Sequence, residues 1–73
     1  MAKLNVESEV SGNVWKIEVR VGDLVQVGDV LMILESMKME IPVESPGVGR
    51  VLEILVRAEQ SVEEGHIVAV LES

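Results

Sequence analysis

The sequence predicts an all-β fold: a flattened barrel or sandwich of about eight strands in two quasi-equivalent sheets, four strands in each, formed by one domain spanning residues 1–73. Three observations lead there: an internal repeat, period-two alternation of apolar residues, and closely spaced turn signals with no sustained helical period. The repeat appears when the chain is slid by 37 positions, which lays Gly12–Ser36 over Gly49–Ser73 without a gap. Identities fall at Gly12/Gly49, Val14/Val51, Ile17/Ile54, Val19/Val56, Arg20/Arg57, Val25/Val62, Gly28/Gly65 and the closing Leu-Glu-Ser triplets. A solenoid needs three or more such units to bury a continuous core, so two copies (about 12–36 and 49–73) point to one domain with a pseudo-twofold.

Each half opens on a half-buried strand. Alternation places Trp15, Ile17, Val19 and Val21 inward and Val14, Lys16, Glu18 and Arg20 outward, with Leu52, Ile54, Val56 and Ala58 as the inward set of the second half. Leu55 breaks that pattern, standing where Glu18 predicts a polar residue. Val-Gly-Asp turns follow at Val21–Asp23 and Val27–Asp29, where glycine supplies backbone angles other residues resist. In the second half Glu59-Gln60 replaces Gly-Asp, which predicts an irregular loop. The runs Val30–Leu34 and Ile67–Leu71 are apolar on both faces, as short core strands are, and make Met32 a core residue.

Between the halves, Glu35–Ile41 joins the strand ending at Leu34 to one running through Ile41 and Val43, which sets Met37-Lys38 at the centre of a hairpin turn. Two-residue hairpin loops favour Asn-Gly or Asp-Gly because both central residues adopt positive φ. Met-Lys is poor turn chemistry, and a locally unfavourable choice at an exposed tip marks residues kept for something other than folding. There Lys38 would project its amine clear of the body as a presentable nucleophile.

Composition narrows the function. The formal charge is −7 and Trp15 is the single aromatic residue, which argues against nucleic acid as a partner. No apolar run reaches the roughly 18 residues of a membrane span, and the opening residues lack a signal-peptide core, so a cytoplasmic protein without membrane contact is expected. The chain contains no cysteine and one histidine, which leaves no recognisable nucleophile–base pair and no expected metal site, although Met-x-Met can bind Cu(I) through thioether sulfur. His66 aligns with Asp29 at an exposed turn, Lys3 and Lys16 read as surface charges, and Trp15, aligned with Leu52, reads as core.

The stretch Glu35-Ser36-Met37-Lys38-Met39-Glu40-Ile41 resembles the attachment motif of biotinyl domains, the biotin carboxyl carrier domains of biotin-dependent carboxylases. The resemblance covers nearly the whole chain and is closest to small free-standing biotin/lipoyl attachment proteins. It implies covalent biotin on Lys38, attached by biotin protein ligase, with Glu35, Ser36, Met37, Met39 and Glu40 as ligase recognition residues. It further implies a non-catalytic, monomeric carrier whose biotin takes carboxylate from a biotin carboxylase and delivers it to a carboxyltransferase. Flexible, uncharged methionines suit an apolar ligase groove. The gap-free repeat leaves no room for the extra thumb of some carriers. Lipoyl domains share the fold and hairpin but usually carry aspartate before the lysine, so a lipoyl carrier for acyl or aminomethyl transfer is the alternative, with an unmodified interaction module as a further one.

Overall fold

In the computed structural model, which describes residues 2–73, eight strands follow one another: β1 (Lys3–Glu7), β2 (Gly12–Ile17), β3 (Leu24–Val25), β4 (Val30–Ser36), β5 (Met39–Glu44), β6 (Gly49–Ile54), β7 (Ser61–Val62) and β8 (Ile67–Glu72). They form two four-stranded sheets, ordered β1-β8-β6-β3 and β5-β4-β2-β7, with every neighbouring pair antiparallel. The expected all-β pair of four-stranded sheets is therefore present, in a body measuring 36 × 18 × 18 Å.

Adding 37 to the residue numbers of β1 to β4 gives β5 to β8 to within one residue, so the repeat converts one sheet into the other. Each sheet takes two strands from each half. The halves interlock, and neither buries its apolar face alone. The equivalence reaches further toward the N-terminus than residue 12: Val6-Glu7-Ser8 corresponds to Val43-Glu44-Ser45. Ser8 and Ser45 are both buried, and each hydroxyl donates to the carbonyl two residues on, Val10 and Gly47. That hydrogen bond satisfies a buried hydroxyl and turns the chain after β1 and after β5 in the same way.

The core lies between the sheets and contains Val6, Val14, Leu31, Met32, Leu34, Val51, Val68 and Leu71, with Met32 as expected. Val14 was expected outward and Trp15 inward, yet Val14 is 1% exposed and Trp15 46%. A bulge between Val14 and Lys16 explains the reversal, because one extra residue on β2 moves Trp15 out of the ladder and lets both Val14 and Ile17 face the core. The same bulge recurs between Val51 and Glu53, at Leu52, the counterpart of Trp15. Outside, the Lys16 Nζ lies 5.3 Å from the Trp15 ring centroid, a cation–π distance. Val21 and Ala58 are also exposed rather than inward, because each stands at a turn beyond its strand's end.

The loop at Glu59-Gln60 is regular. Gly22 and Glu59 both take positive φ, 99° and 72°. The Asp23 carboxylate accepts from the Arg20 N–H, and the Gln60 side-chain carbonyl accepts from the Arg57 N–H, so an amide oxygen replaces a carboxylate in one shared turn geometry. The cost falls on Glu59, whose Cβ disfavours the left-handed region by about 1–2 kcal/mol.

Candidate functional site

The β4–β5 hairpin builds the site. Its ladder pairs Leu34 with Ile41, Glu35 with Glu40 and Ser36 with Met39, which leaves Met37 and Lys38 as a two-residue loop. Both have positive φ, 52° and 65°, as a primed two-residue hairpin turn requires. With side chains on both residues, this turn costs on the order of 1–2 kcal/mol per residue. The expected tip is therefore present, and its backbone is strained where the exposed lysine stands.

Leu34 is fully buried and anchors the hairpin, whereas Glu35, Lys38 and Glu40 are exposed. The methionines are displayed rather than packed, Met37 being 93% exposed and Met39 64%. Ser36 is half-buried at the base. The six residues named from the sequence thus share one protrusion: an amine at the apex, a thioether on either side, and two carboxylates one rung below.

Sequence reasoning missed the residue that seats this protrusion. A Cβ on Gly12 would lie 2.6 Å from the Glu35 carbonyl oxygen and 3.2 Å from the Ser36 Cβ. Glycine alone lets β2 approach the base of the hairpin this closely. Gly49 performs the same service for β8, where an added Cβ would meet the Glu72 carbonyl oxygen at 2.6 Å. The Gly12/Gly49 identity in the repeat was the available signal.

Chemically, the arrangement offers an exposed primary amine flanked by two exposed thioethers. Among the described residues, no group of three or more His, Cys, Asp or Glu side chains is arranged to hold a metal ion. The turn that presents the amine is only two residues long.

Comparison with known proteins agrees with this geometry. Residues 4–71 match the profile of the biotin/lipoyl family, described as biotin-requiring enzyme. The chain is 48% identical over 40 residues, 55% of its own length and 55% of the relative's, to a biotin/lipoyl attachment protein of Bacillus subtilis (strain 168). It is 49% identical over 39 residues, 53% of its length and 55% of the relative's, to the biotinylated protein TB7.3 of Mycobacterium tuberculosis (strain H37Rv). These alignments span about half the length of the curated relatives. Among solved structures, the urea carboxylase of Kluyveromyces lactis superposes with a TM-score of 0.93 and 38% identity, over 99% of this chain and 6% of that one. With a family match over nearly its whole length and a carboxylase domain of the same fold, the chain belongs to the biotin/lipoyl attachment family and is homologous to the biotin carrier domains of carboxylases.

Proposed function

We propose that Lys38 is the residue to which biotin protein ligase joins biotin, and that the loaded domain serves a biotin carboxylase and a carboxyltransferase in turn. The observation that carries this reading is the two-residue Met37-Lys38 turn, held at positive φ with Met37 almost wholly exposed. Once the ligase has removed a proton from the ammonium, the Lys38 Nζ attacks the activated carboxyl carbon; an amide bond forms and the activating group leaves with its electron pair. Bound biotin supplies the carboxyl-transfer chemistry.

The chain's own residues bind and orient. Met37 and Met39 are flexible apolar handles on either side of the amine, and they bring no competing charge into a ligase groove. Glu35, Ser36 and Glu40 stand in the two rungs that close the hairpin, and the two glutamates offer carboxylates to a basic partner surface. Gly12 keeps the hairpin's direction constant, so the amine reaches a partner site from a fixed base. Holding a tethered group close to successive sites raises its effective concentration there.

Loading of Lys38 with lipoate is the second reading, favoured by the similarity to a biotin/lipoyl attachment protein. The test is expression of wild type and Lys38→Arg with both vitamins, read by intact mass and by avidin and lipoyl-specific blots. The biotin mass increment on wild type alone is the expected result. A label that persists on Lys38→Arg overturns the site, and a lipoyl increment without biotin overturns the cofactor.

A further inference from the structure

The 37-residue equivalence provides an internal control for the surface, since each position has a counterpart in the other sheet. Around the β7 edge, two hydrogen bonds use polar side chains: the Ser61 hydroxyl donates to the Asn13 side-chain oxygen at 2.9 Å, and the Glu64 backbone N–H donates to the Ser11 hydroxyl at 3.1 Å. Their counterparts around the β3 edge are Leu24, Arg50, Val27 and Val48. Three of these four are apolar and exposed, Leu24 at 74% and Val48 at 64% among them. Leu24, Val25, Val48, Gly49, Arg50 and Glu72 border a groove of about 470 Å³. One edge is closed by its own hydrogen bonds, and its equivalent leaves apolar surface in water.

The charges on the page favour a particular occupant. Arg50 and Glu72 stand opposite each other in the β6–β8 ladder, so the groove's charged side chains cancel in a chain of net charge −7. A basic partner would instead be drawn to the smaller groove under β5, about 140 Å³, which Glu7, Glu9 and Glu44 line. A neutral patch that holds both an acid and a base, beside a leucine that projects from the groove it borders, is self-complementary in the sense a twofold interface requires. We propose that a second copy of this chain covers the groove, with Leu24 of each protomer seated against Val48 of the other across a twofold axis and Arg50 facing the other copy's Glu72. The monomer expected from the sequence is then the dilute form. The hairpin belongs to the other sheet, so both Lys38 amines stay free in the dimer.

Sedimentation equilibrium of the full chain from about 10 µM to 1 mM tests this, a range suited to a small interface. Wild type is expected to rise from 8.0 kDa toward twice that mass. Leu24→Ser with Val48→Ser transplants the residues of the other edge and should weaken association at least about tenfold. Arg50→Glu, which makes the groove acidic in both copies, should weaken it similarly. All three positions are exposed, and thermal melts of the variants check that they fold. A wild type that stays at 8.0 kDa throughout, or variants that associate like wild type, overturns the proposal. So does a groove whose Leu24 and Val48 methyl signals respond only to an added carboxylase component, since the occupant is then another protein. Loading of Lys38 is scored separately on the same samples, so failure here and failure of the carrier reading are distinguishable.

Discussion

Glu35 and Glu40 face each other across the β4–β5 ladder, one rung below the Ser36–Met39 pair that closes the lysine hairpin. Like charges directly opposite on adjacent strands oppose folding, typically by a few tenths of a kcal/mol. Glu40→Thr should therefore stabilise the domain by about 0.5 kcal/mol, seen as a thermal midpoint raised by about 2–4 °C. The same change should slow loading of Lys38 by the ligase. Faster or unchanged loading in a timed avidin assay would remove the carboxylate pair from the recognition surface.

Stability and loading should also part company at the apex. Lys38→Gly relieves one side chain of positive φ and is expected to stabilise by about 1 kcal/mol while abolishing attachment. Denaturant melts beside Lys38→Arg separate the two effects, because arginine keeps the strain. Equal midpoints for the two variants would show that the turn stores no strain at this residue.

Glu59 offers the same relief far from the amine in sequence. With φ at 72° in a turn whose counterpart is Gly22, Glu59→Gly should add about 0.5–1 kcal/mol and leave loading unchanged. A destabilised variant in urea titration would mean that the glutamate side chain has a compensating role.

Gly12 and Gly49 form a matched pair of tests. An added Cβ meets a carbonyl oxygen at 2.6 Å in both places, so Gly12→Ala and Gly49→Ala should each cost about 1–3 kcal/mol. Gly12→Ala displaces the hairpin base and should lower the loading rate even at temperatures where the variant is fully folded. Gly49→Ala, which strains the other sheet, should load like wild type. Identical loading of the two variants would show that hairpin direction does not matter to the ligase.

The hairpin was legible in the sequence because its signals are local: an apolar run up to Leu34, an unlikely Met37-Lys38 turn, and a strand resuming at Ile41. Met32 was legible because its run is apolar on both faces. Trp15 was not, since a bulge adds one residue to a strand without altering its composition, and alternation counted through it assigns the wrong face. Glu59 misled for a related reason: the turn is specified by its hydrogen bonds as much as by glycine, and Gln60 supplies the oxygen that Asp23 supplies in the first half. The repeat was visible, but its interlocking was not, because a one-dimensional offset does not say which sheet a strand joins. The triplets at Val6–Ser8 and Val43–Ser45 carried a readable signal of the longer equivalence.

The N–H of Ser73 donates to the carbonyl of Ala2 at 2.9 Å, so the first and last described residues are neighbours, at the place in one sheet that corresponds to the Ser36–Met39 rung in the other. A host polypeptide could enter and leave such a domain through a gap about one strand spacing wide, roughly 4.8 Å. Spliced in this way, the barrel would hang from its host like a pendant. The same fold makes up only 6% of the urea carboxylase chain on which it superposes, where it must be joined to a host in some such way.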